Sequence, residues 1–450
     1  MSFGRAEHAE LGSSQPKRGN AHEAPTAGEN SGGLVATGLL SLMVGAVAGL
    51  VGALFRRSLE EADRFRALLL AWAQAENVIG FCIVVIAIAA STALAVWLVG
   101  RFAPQASGSG IPHVEAVLHG EQPAAQLVLI PVKFVGGVLA IGCGLALGRE
   151  GPTVQMGASI AYGIGTLFRR DADDCRVLLA AGAGAGLAAA FNSPIAGAVF
   201  VLEELVRRFE TRTAIAALGA SAGAIAVARL IHGDLPDFQL MAQPFPGFGT
   251  VPAHLALGVV VGVLGVAYSQ AILGALTVAD RLSRWPAEAR AVLVGAGVGV
   301  LAWFAPDLVG GGDAITQRAL EGTGSFTAIA LICIVRFALG AVSYAIGAPG
   351  GLFAPMLAVG AQAGLVFGKI CVHWFPGVAA DPTAFAVVAM AAFFTSVVRA
   401  PITGIILVTE MTGNFTLLLP MLTSCFAAMI VPTMLHCPPI YDALRNRVPQ

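Results

Sequence analysis

Charged residues are scarce in this sequence. Only 12% of its 450 residues are Asp, Glu, Lys or Arg, about half of the share found in soluble globular proteins, whereas 56% are hydrophobic. This balance argues against a soluble fold. The net charge of −1 and the lack of any Lys- or Arg-rich run also argue against nucleic-acid binding. Strand-type alternation of apolar and polar residues is absent too, so we predict an all-α protein.

Disulfide-forming patterns, catalytic motifs and a signal peptide are missing as well. The seven cysteines are odd in number, and most lie in apolar segments, which indicates reduced packing residues. No HExxH or GxSxG motif and no aspartate pair in an apolar segment occurs, so we expect neither enzymatic activity nor a cofactor. Residues 1–32 lack the basic start and apolar core of a signal peptide, and we expect them to form a polar, water-exposed tail.

Apolar stretches long enough to cross a bilayer are abundant. Stretches of roughly 18 or more residues suffice for this purpose, and they occur at 34–55, 78–99, 255–276 and 326–345. We therefore predict a multi-pass helical membrane protein. The chain also contains 55 glycines and 24 prolines, many of them inside apolar stretches. They predict broken helices, which in membrane proteins usually surround a substrate site.

One short motif occurs twice, with the second copy 207 residues after the first. Such an internal repeat predicts two related halves, about 33–235 and 250–441, with a substrate site between them near the middle of the membrane. The repeated residues are Pro194, Ile195, Gly197, Val201 and Glu203 in the first copy, and Pro401, Ile402, Gly404, Val408 and Glu410 in the second.

Three segments that combine glycine with proline could each begin a helix. They read Gly-Ser-Gly-Ile-Pro at 108–112, Gly-Arg-Glu-Gly-Pro at 148–152 and Gly-Leu-Phe-Ala-Pro at 351–355. Glycine permits close backbone approach, and proline suits the first helical turn. Each helix start would present free amides and a positive dipole end to an anion. Taken singly, Ser109 could be an ordinary N-cap and Glu150 an ordinary acid at a helix start.

Taken together, in this order and at these separations, the three segments resemble the signature loops of the CLC family of chloride channels and transporters, most closely its bacterial proton/chloride exchangers. The resemblance extends from about residue 33 to Tyr441. It implies a transmembrane domain at 33–441 with about eighteen helices in two inverted halves, many of them broken or not fully spanning. It also implies a homodimer with one pathway per subunit. Residues 442–450 form a short tail, so no CBS domains are expected.

The resemblance also implies roles for individual residues. The chloride site would consist of the hydroxyls of Ser109 and Tyr441 and the backbone amides of Leu352 and Phe353. Glu150 would be the gate and the external proton-transfer residue, because its carboxylate can compete with chloride for the same helix ends. Without the resemblance, Tyr441 would be interpreted as an anchor at the membrane interface.

Two neighbouring glutamates could serve on the inner side. Glu204 matches the internal proton-transfer residue of the family, and Glu203 would support it. From the residues alone, both could equally form helix-end salt bridges with Arg207 and Arg208. Lys133 also belongs to the resemblance as a secondary residue, which would either neutralise a nearby glutamate, Glu115, or add positive potential along the anion path.

The predicted function is exchange of chloride for protons across the bacterial inner membrane, with chloride as substrate and not as cofactor. The alternative is a passive voltage- or pH-gated chloride channel of the same fold. Glu204 counts against this alternative, because an apolar residue there would remove the internal proton acceptor. Fluoride export and nitrate preference are disfavoured by Ser109, since family members with those preferences depart from serine in the first loop.

Overall fold

The computed structural model describes residues 30–240, 246–376 and 381–447. Within these ranges the chain forms seventeen α-helices and no β-strand, which confirms the all-α prediction and comes close to the eighteen helices expected. The helices before residue 240 are α1 (Asn30–Ala75), α2 (Asn77–Phe102), α3 (Ile111–Leu118), α4 (Leu129–Gly142), α5 (Glu150–Leu167), α6 (Ala172–Phe191), α7 (Pro194–Phe200) and α8 (Thr211–His232). Those after it are α9 (Val251–Arg281), α10 (Ala287–Phe304), α11 (Asp313–Leu320), α12 (Phe326–Ala345), α13 (Phe353–Trp374), α14 (Pro382–Val398), α15 (Pro401–Thr412), α16 (Leu418–Met434) and α17 (Ile440–Arg445).

The first predicted tail falls largely outside the described residues, and the second does so only in part. Of the tail at 1–32, residues 1–29 are not described, and α1 already begins at Asn30. Of the tail at 442–450, residues 448–450 are not described, and α17 continues through Arg445. The domain boundaries therefore stay predictions.

Eight of the described helices are long and apolar enough to cross a membrane, namely α1, α2, α6, α8, α9, α10, α12 and α13. Four further apolar helices, α4, α14, α15 and α16, have only 12 to 17 residues. The chain is thus a multi-pass integral membrane protein in which many helices do not span the bilayer fully. Large apolar side chains on the outer faces, such as Leu331 and Ile334, are more than half exposed, as expected where lipid is the solvent.

Small residues let the central helices approach closely. The second half of α6 consists almost entirely of alanine and glycine, and it is buried throughout. A Cβ atom at Gly157 of α5 would overlap the carbonyl of Gly182 in α6, and one at Gly186 would overlap the backbone of Thr153. In lipid, such close backbone packing takes the place of the hydrophobic effect as a source of helix association. It holds α5, and with it Glu150, in the middle of the protein.

The repeated motif forms two reciprocal helix caps. Glu203 accepts hydrogen bonds from the amides of Ile402 (3.0 Å) and Thr403 (2.6 Å) at the start of α15. Glu410 accepts the equivalent bonds from Ile195 (3.1 Å) and Ala196 (2.8 Å) at the start of α7. A carboxylate is favourable at a helix N terminus, and the bonds are charge-assisted. Each half of the chain therefore caps a helix of the other half.

This reciprocity predicts that two substitutions both lower stability. Glu203→Gln and Glu410→Gln should each lower the free energy of unfolding by about 1 to 3 kcal/mol, because each replaces a charge-assisted bond pair with a neutral one. Thermal unfolding in detergent measures the effect. Glu61→Gln, which alters an exposed ion pair with Arg64 on α1, is the control and should change stability by less than about 0.5 kcal/mol. A loss in only one of the two cap variants would contradict reciprocal capping.

Candidate functional site

The three glycine-rich loops are bonded directly to one another. Gly148 and Gly351 exchange two backbone hydrogen bonds of 2.8 and 2.7 Å, which join the second loop to the third. The amide of Gly350 donates to the carbonyl of Gly108 at 3.0 Å, which joins the third loop to the first. Segments that are more than 200 residues apart in the chain thus form one unit, and the starts of α3, α5 and α13 converge on it.

Glu150 occupies the centre of this unit. Its side chain is fully buried, and its Oε1 accepts a 2.6 Å hydrogen bond from the amide of Phe353 at the start of α13. The amide of Ala354 also lies close to the carboxylate. A Cβ atom at Gly148 or Gly351 would overlap the Glu150 carboxylate in this position, and one at Gly351 would also overlap the backbone of Gly151. The carboxylate therefore occupies the place that the helix N termini offer to an anion.

Ser109 and Tyr441 lie beside each other next to this carboxylate. Both side chains are fully buried, and the phenol group of Tyr441 lies close to the side chain of Ser109. Neither hydroxyl has a hydrogen-bond partner within the described residues. The start of α5 is adjacent, since a Cβ atom at Gly151 would lie 2.6 Å from Ser109 Oγ. Two buried hydroxyls without a protein partner fit the chemistry of an anion site, because burial of a hydroxyl is costly unless it is hydrogen-bonded.

Leu352 and Phe353 complete the predicted set. Leu352 is the fully buried N-cap residue of α13, and Phe353 is the first residue of that helix. The structure thus brings Ser109, Glu150 and Tyr441 together with these two residues, while their roles as chloride ligands and gate stay predictions.

Lys133 supports the first loop. Its fully buried ammonium group donates to the carbonyls of Ala106 (2.9 Å) and Gly108 (2.7 Å), on either side of the turn that leads to Ser109. The nearest cation to the Glu115 carboxylate is instead Arg445, at 3.9 Å. Of the two roles considered for Lys133, the geometry favours positive potential at the anion site over neutralisation of Glu115.

Glu204 lies apart from the anion ligands. It is in a π-helical turn, Val201–Leu205, that follows α7, and its side chain is only 3% exposed. Its Oε1 is 3.5 Å from Arg207 Nη2. A cavity of about 390 Å³, lined among others by Arg207, Arg208 and Arg399, extends from the surface to Glu204. Single π-helical turns inside α-helices occur frequently at functional sites.

Glu203, the neighbouring glutamate, points elsewhere. Both of its carboxylate oxygens are bonded to the start of α15, including a 2.7 Å bond from the Thr403 hydroxyl. Its side chain is therefore occupied as a helix cap, and its supporting part in proton transfer stays a prediction.

Several residues around the site were missed by the sequence analysis. The ring of Phe353 lies 4.6 Å from Phe394, 5.8 Å from Phe200 and 6.4 Å from Phe191, measured between ring centroids. These aromatic side chains are fully or almost fully buried and surround the amide end of α13. With 24 phenylalanines in the chain, their type alone carried no signal. Only their positions at the ends of α6 and α7, the helices that meet here, could have drawn attention to Phe191 and Phe200.

The sequence analysis also missed the long-range contacts of Arg149. Its guanidinium group is paired with Asp237 at 2.8 Å and donates to the carbonyl of Ala190 at 2.8 Å. Asp237 also binds Arg56 of α1 at 2.7 Å. The loop between α8 and α9 is thereby fastened over the residue that precedes Glu150.

Two cavities approach the site from opposite directions. One, of about 670 Å³, borders Gly108 and Gly110 on either side of Ser109, and it reaches Glu288 near the start of α10. The other, of about 130 Å³, borders Gly148 and reaches Asp307, which follows the end of α10. Because α10 has 18 residues, its ends are about 27 Å apart. The site therefore lies between cavities that open towards the two sides of the membrane.

The broken helices and the buried polar site between two cavities define a membrane transport protein. A family model described as voltage gated chloride channel matches residues 91–433. The chain belongs to this family, known as the CLC family.

Characterised relatives share most of the chain. The H(+)/Cl(−) exchange transporter ClcA of Vibrio cholerae is 38% identical over 417 residues, which cover 91% of this chain and 88% of that protein. ClcA of Vibrio parahaemolyticus is 38% identical over 418 residues, which cover 91% and 89%. The crystal structure of a slow cyanobacterial Cl−/H+ antiporter superposes with a TM-score of 0.88 at 32% identity and covers 91% of this chain and 97% of that one.

The contacts of Lys133 generate a prediction about chloride binding. Lys133→Met should weaken chloride binding at least tenfold, because it removes a buried positive charge and leaves two carbonyls of the Ser109 loop without a donor. Calorimetric titration with chloride on purified protein measures the effect. Lys369→Met is the matched control. Lys369 lies near the end of α13 that is remote from the loop, and it donates only a 3.5 Å bond to the carbonyl of Gly322. Unchanged chloride affinity in a folded Lys133→Met variant would contradict this role.

Proposed function

We propose that this protein is a secondary active transporter that exchanges chloride for protons across the membrane. The observation that carries the proposal is the position of Glu150, whose carboxylate is bonded to the amide of Phe353 beside the hydroxyls of Ser109 and Tyr441. A titratable group thus occupies an anion position. The exchange activity named for the Vibrio relatives and for the cyanobacterial antiporter supports the same function.

Chloride would be held by neutral donors. The hydroxyls of Ser109 and Tyr441 and the amides of Leu352 and Phe353 offer hydrogen bonds without a full opposing charge, while Lys133 adds positive potential from behind the loop. Such multi-point but weak binding suits transport, since an ion that binds too strongly cannot leave.

Glu150 would act as the gate. When it is ionised, its carboxylate accepts the hydrogen bond from the amide of Phe353 and excludes chloride from this position. When it is protonated, the attraction to the positive helix ends is lost, and chloride can replace it. Because proton and chloride then favour the same conformation of one side chain, their movements become linked.

Glu204 would receive or release the proton on the inner side. It is buried, yet the cavity beside it leads to water, whereas chloride would use the larger cavity next to Ser109. The two ions would therefore share the path at Glu150 and separate between Glu150 and Glu204. A passive channel would have no use for a buried acid with its own access to water.

The protein would function as a homodimer in the bacterial inner membrane, without enzymatic activity or a cofactor. Ile195 and Ile402, at the starts of the reciprocally capped helices, are each more than half exposed, as are Leu422 and Phe426 on α16. The two isoleucines occupy equivalent positions of the internal repeat, and exposed apolar side chains related in this way suit contact with a second copy of the same chain.

The gate assignment is tested by recording chloride and pH together in liposomes. Wild-type protein should move protons against their gradient when a chloride gradient drives it, whereas chloride flux without protons would favour the channel. Glu150→Ala should retain chloride flux, lose its pH dependence and stop proton movement, because the titratable carboxylate at the anion position is gone. Proton pumping by Glu150→Ala would show that the gate has been misassigned.

Glu204→Gln separates proton transfer from structure. The change keeps the shape of the side chain but removes its titratable proton, so proton movement should stop while at least about half of the chloride flux remains. Glu410→Gln, a cap variant on the other half, is the control and should keep the wild-type ratio of protons to chloride. If Glu204 is only a salt-bridge partner of Arg207, Glu204→Gln should reduce both fluxes together.

A further inference from the structure

Arg207 lies between the buried carboxylate of Glu204 and a second acid, Asp442. Its guanidinium group binds Asp442 through two bonds, from Nη1 to Oδ2 at 3.1 Å and from Nη2 to Oδ1 at 2.9 Å. The same Nη2 is 3.5 Å from Glu204 Oε1, and Nε donates to the main-chain carbonyl of Glu204 at 3.1 Å. One arginine therefore joins the two acids. The paired geometry matches the fork of the guanidinium group, which a lysine could not reproduce.

Asp442 directly follows Tyr441 in α17. This helix has only six residues, too few to be stable by itself, so its position depends on contacts with the rest of the protein. Tyr441 and Leu444 are buried, and ion pairs fasten the polar face. Arg207 holds Asp442, Arg445 lies 3.9 Å from Glu115, and Arg447 beyond the helix pairs with Asp280 of α9.

We propose that Arg207 and Asp442 are positioning residues that connect Glu204 to the Tyr441 helix, so that the proton on Glu204 and the placement of the Tyr441 hydroxyl depend on each other. This inference rests on the proposed exchange function. It assigns the link between the proton path and the chloride path to a chain of three side chains, Glu204, Arg207 and Asp442, on the inner side.

The direction of the effect follows from charge. When Glu204 is ionised, it competes with Asp442 for the guanidinium group of Arg207, and the two carboxylates repel each other. The attachment of α17 is therefore weaker. When Glu204 is neutral, this competition ends, so the bond from Arg207 to Asp442 is stronger and keeps Tyr441 beside Ser109. Because Glu204 is only 3% exposed, this interaction is screened less by salt than a surface pair would be.

Other charged groups face Glu204 and contribute to the same balance. Glu115 of α3 and Glu203 of the π-helical turn interact with it electrostatically, and Arg208 lines the same cavity. Of these three, Glu115 contacts α17 through Arg445 at 3.9 Å, which is longer than the bonds of 3.1 and 2.9 Å from Arg207 to Asp442. By reciprocity, a change in how α17 is held must also change the proton occupancy of Glu204.

The test compares two variants that each release one attachment of α17. Asp442→Asn removes the charge that binds Arg207, and the ratio of protons to chloride should fall at least twofold in liposomes while chloride flux persists. Asp280→Asn releases Arg447 at the other end of the segment without touching Glu204, and it should keep the wild-type ratio. Asp442→Glu retains the charge and should restore most of the ratio lost in Asp442→Asn.

The other possible outcomes would contradict either the link through Arg207 or the exchange function itself. A wild-type ratio in folded Asp442→Asn, or an equal fall in Asp280→Asn, would overturn the link and leave the exchange function in place. Wild-type protein that moves chloride without protons would overturn both. Should Asp442→Asn fail to fold, Arg207→Lys keeps the positive charge but loses the paired geometry, and the same fall in ratio is expected there.

Discussion

The unpaired amides at the starts of broken helices are the constraint on which this structure depends. An α-helix leaves its first amides without an internal partner, and in a membrane water cannot supply one. At the start of α13 the amide of Phe353 is satisfied by Glu150 from α5. At the starts of α7 and α15 the same need is met by Glu410 and Glu203. Carboxylates from one half thus repeatedly satisfy helices of another part of the chain.

The difference between these caps lies in their surroundings. The caps at α7 and α15 use both carboxylate oxygens, each of which accepts a bond from a backbone amide of the capped helix. Glu150 uses one oxygen for Phe353, while its Oε2 has no hydrogen-bond partner within the described residues, and two hydroxyls without partners lie nearby. The same interaction that is structural in two places is therefore replaceable in the third. An exchangeable cap is what a gate requires.

Much of this arrangement could be predicted from the sequence, because its local signals are strong. The three glycine and proline loops located Ser109, Glu150 and Phe353 correctly at helix starts, and the repeat located α7 and α15. The capping role of the repeated glutamates could not be predicted, since a helix cap supplied by a residue 200 or more positions away leaves no local sequence pattern. The partners of Lys133 were also hidden, because backbone carbonyls have no residue type. Asp442 carried no signal either, since its contact with Arg207 exists only once α17 has folded against the first half.

The position of α17 explains why an exchanger of this kind needs long-range ion pairs. Tyr441 must reach the buried site from the end of the described chain, yet its helix is too short to be held by its own hydrogen bonds. Apolar packing of Tyr441 and Leu444 fixes its depth but resists small shifts weakly, because it is non-directional. The bonds from Arg207 to Asp442 are directional, and the same guanidinium group contacts Glu204, a buried acid that lines a cavity open to the surface. In the proposed mechanism, Arg207 consequently both fixes the orientation of the Tyr441 hydroxyl and contacts the proposed inner proton site, Glu204.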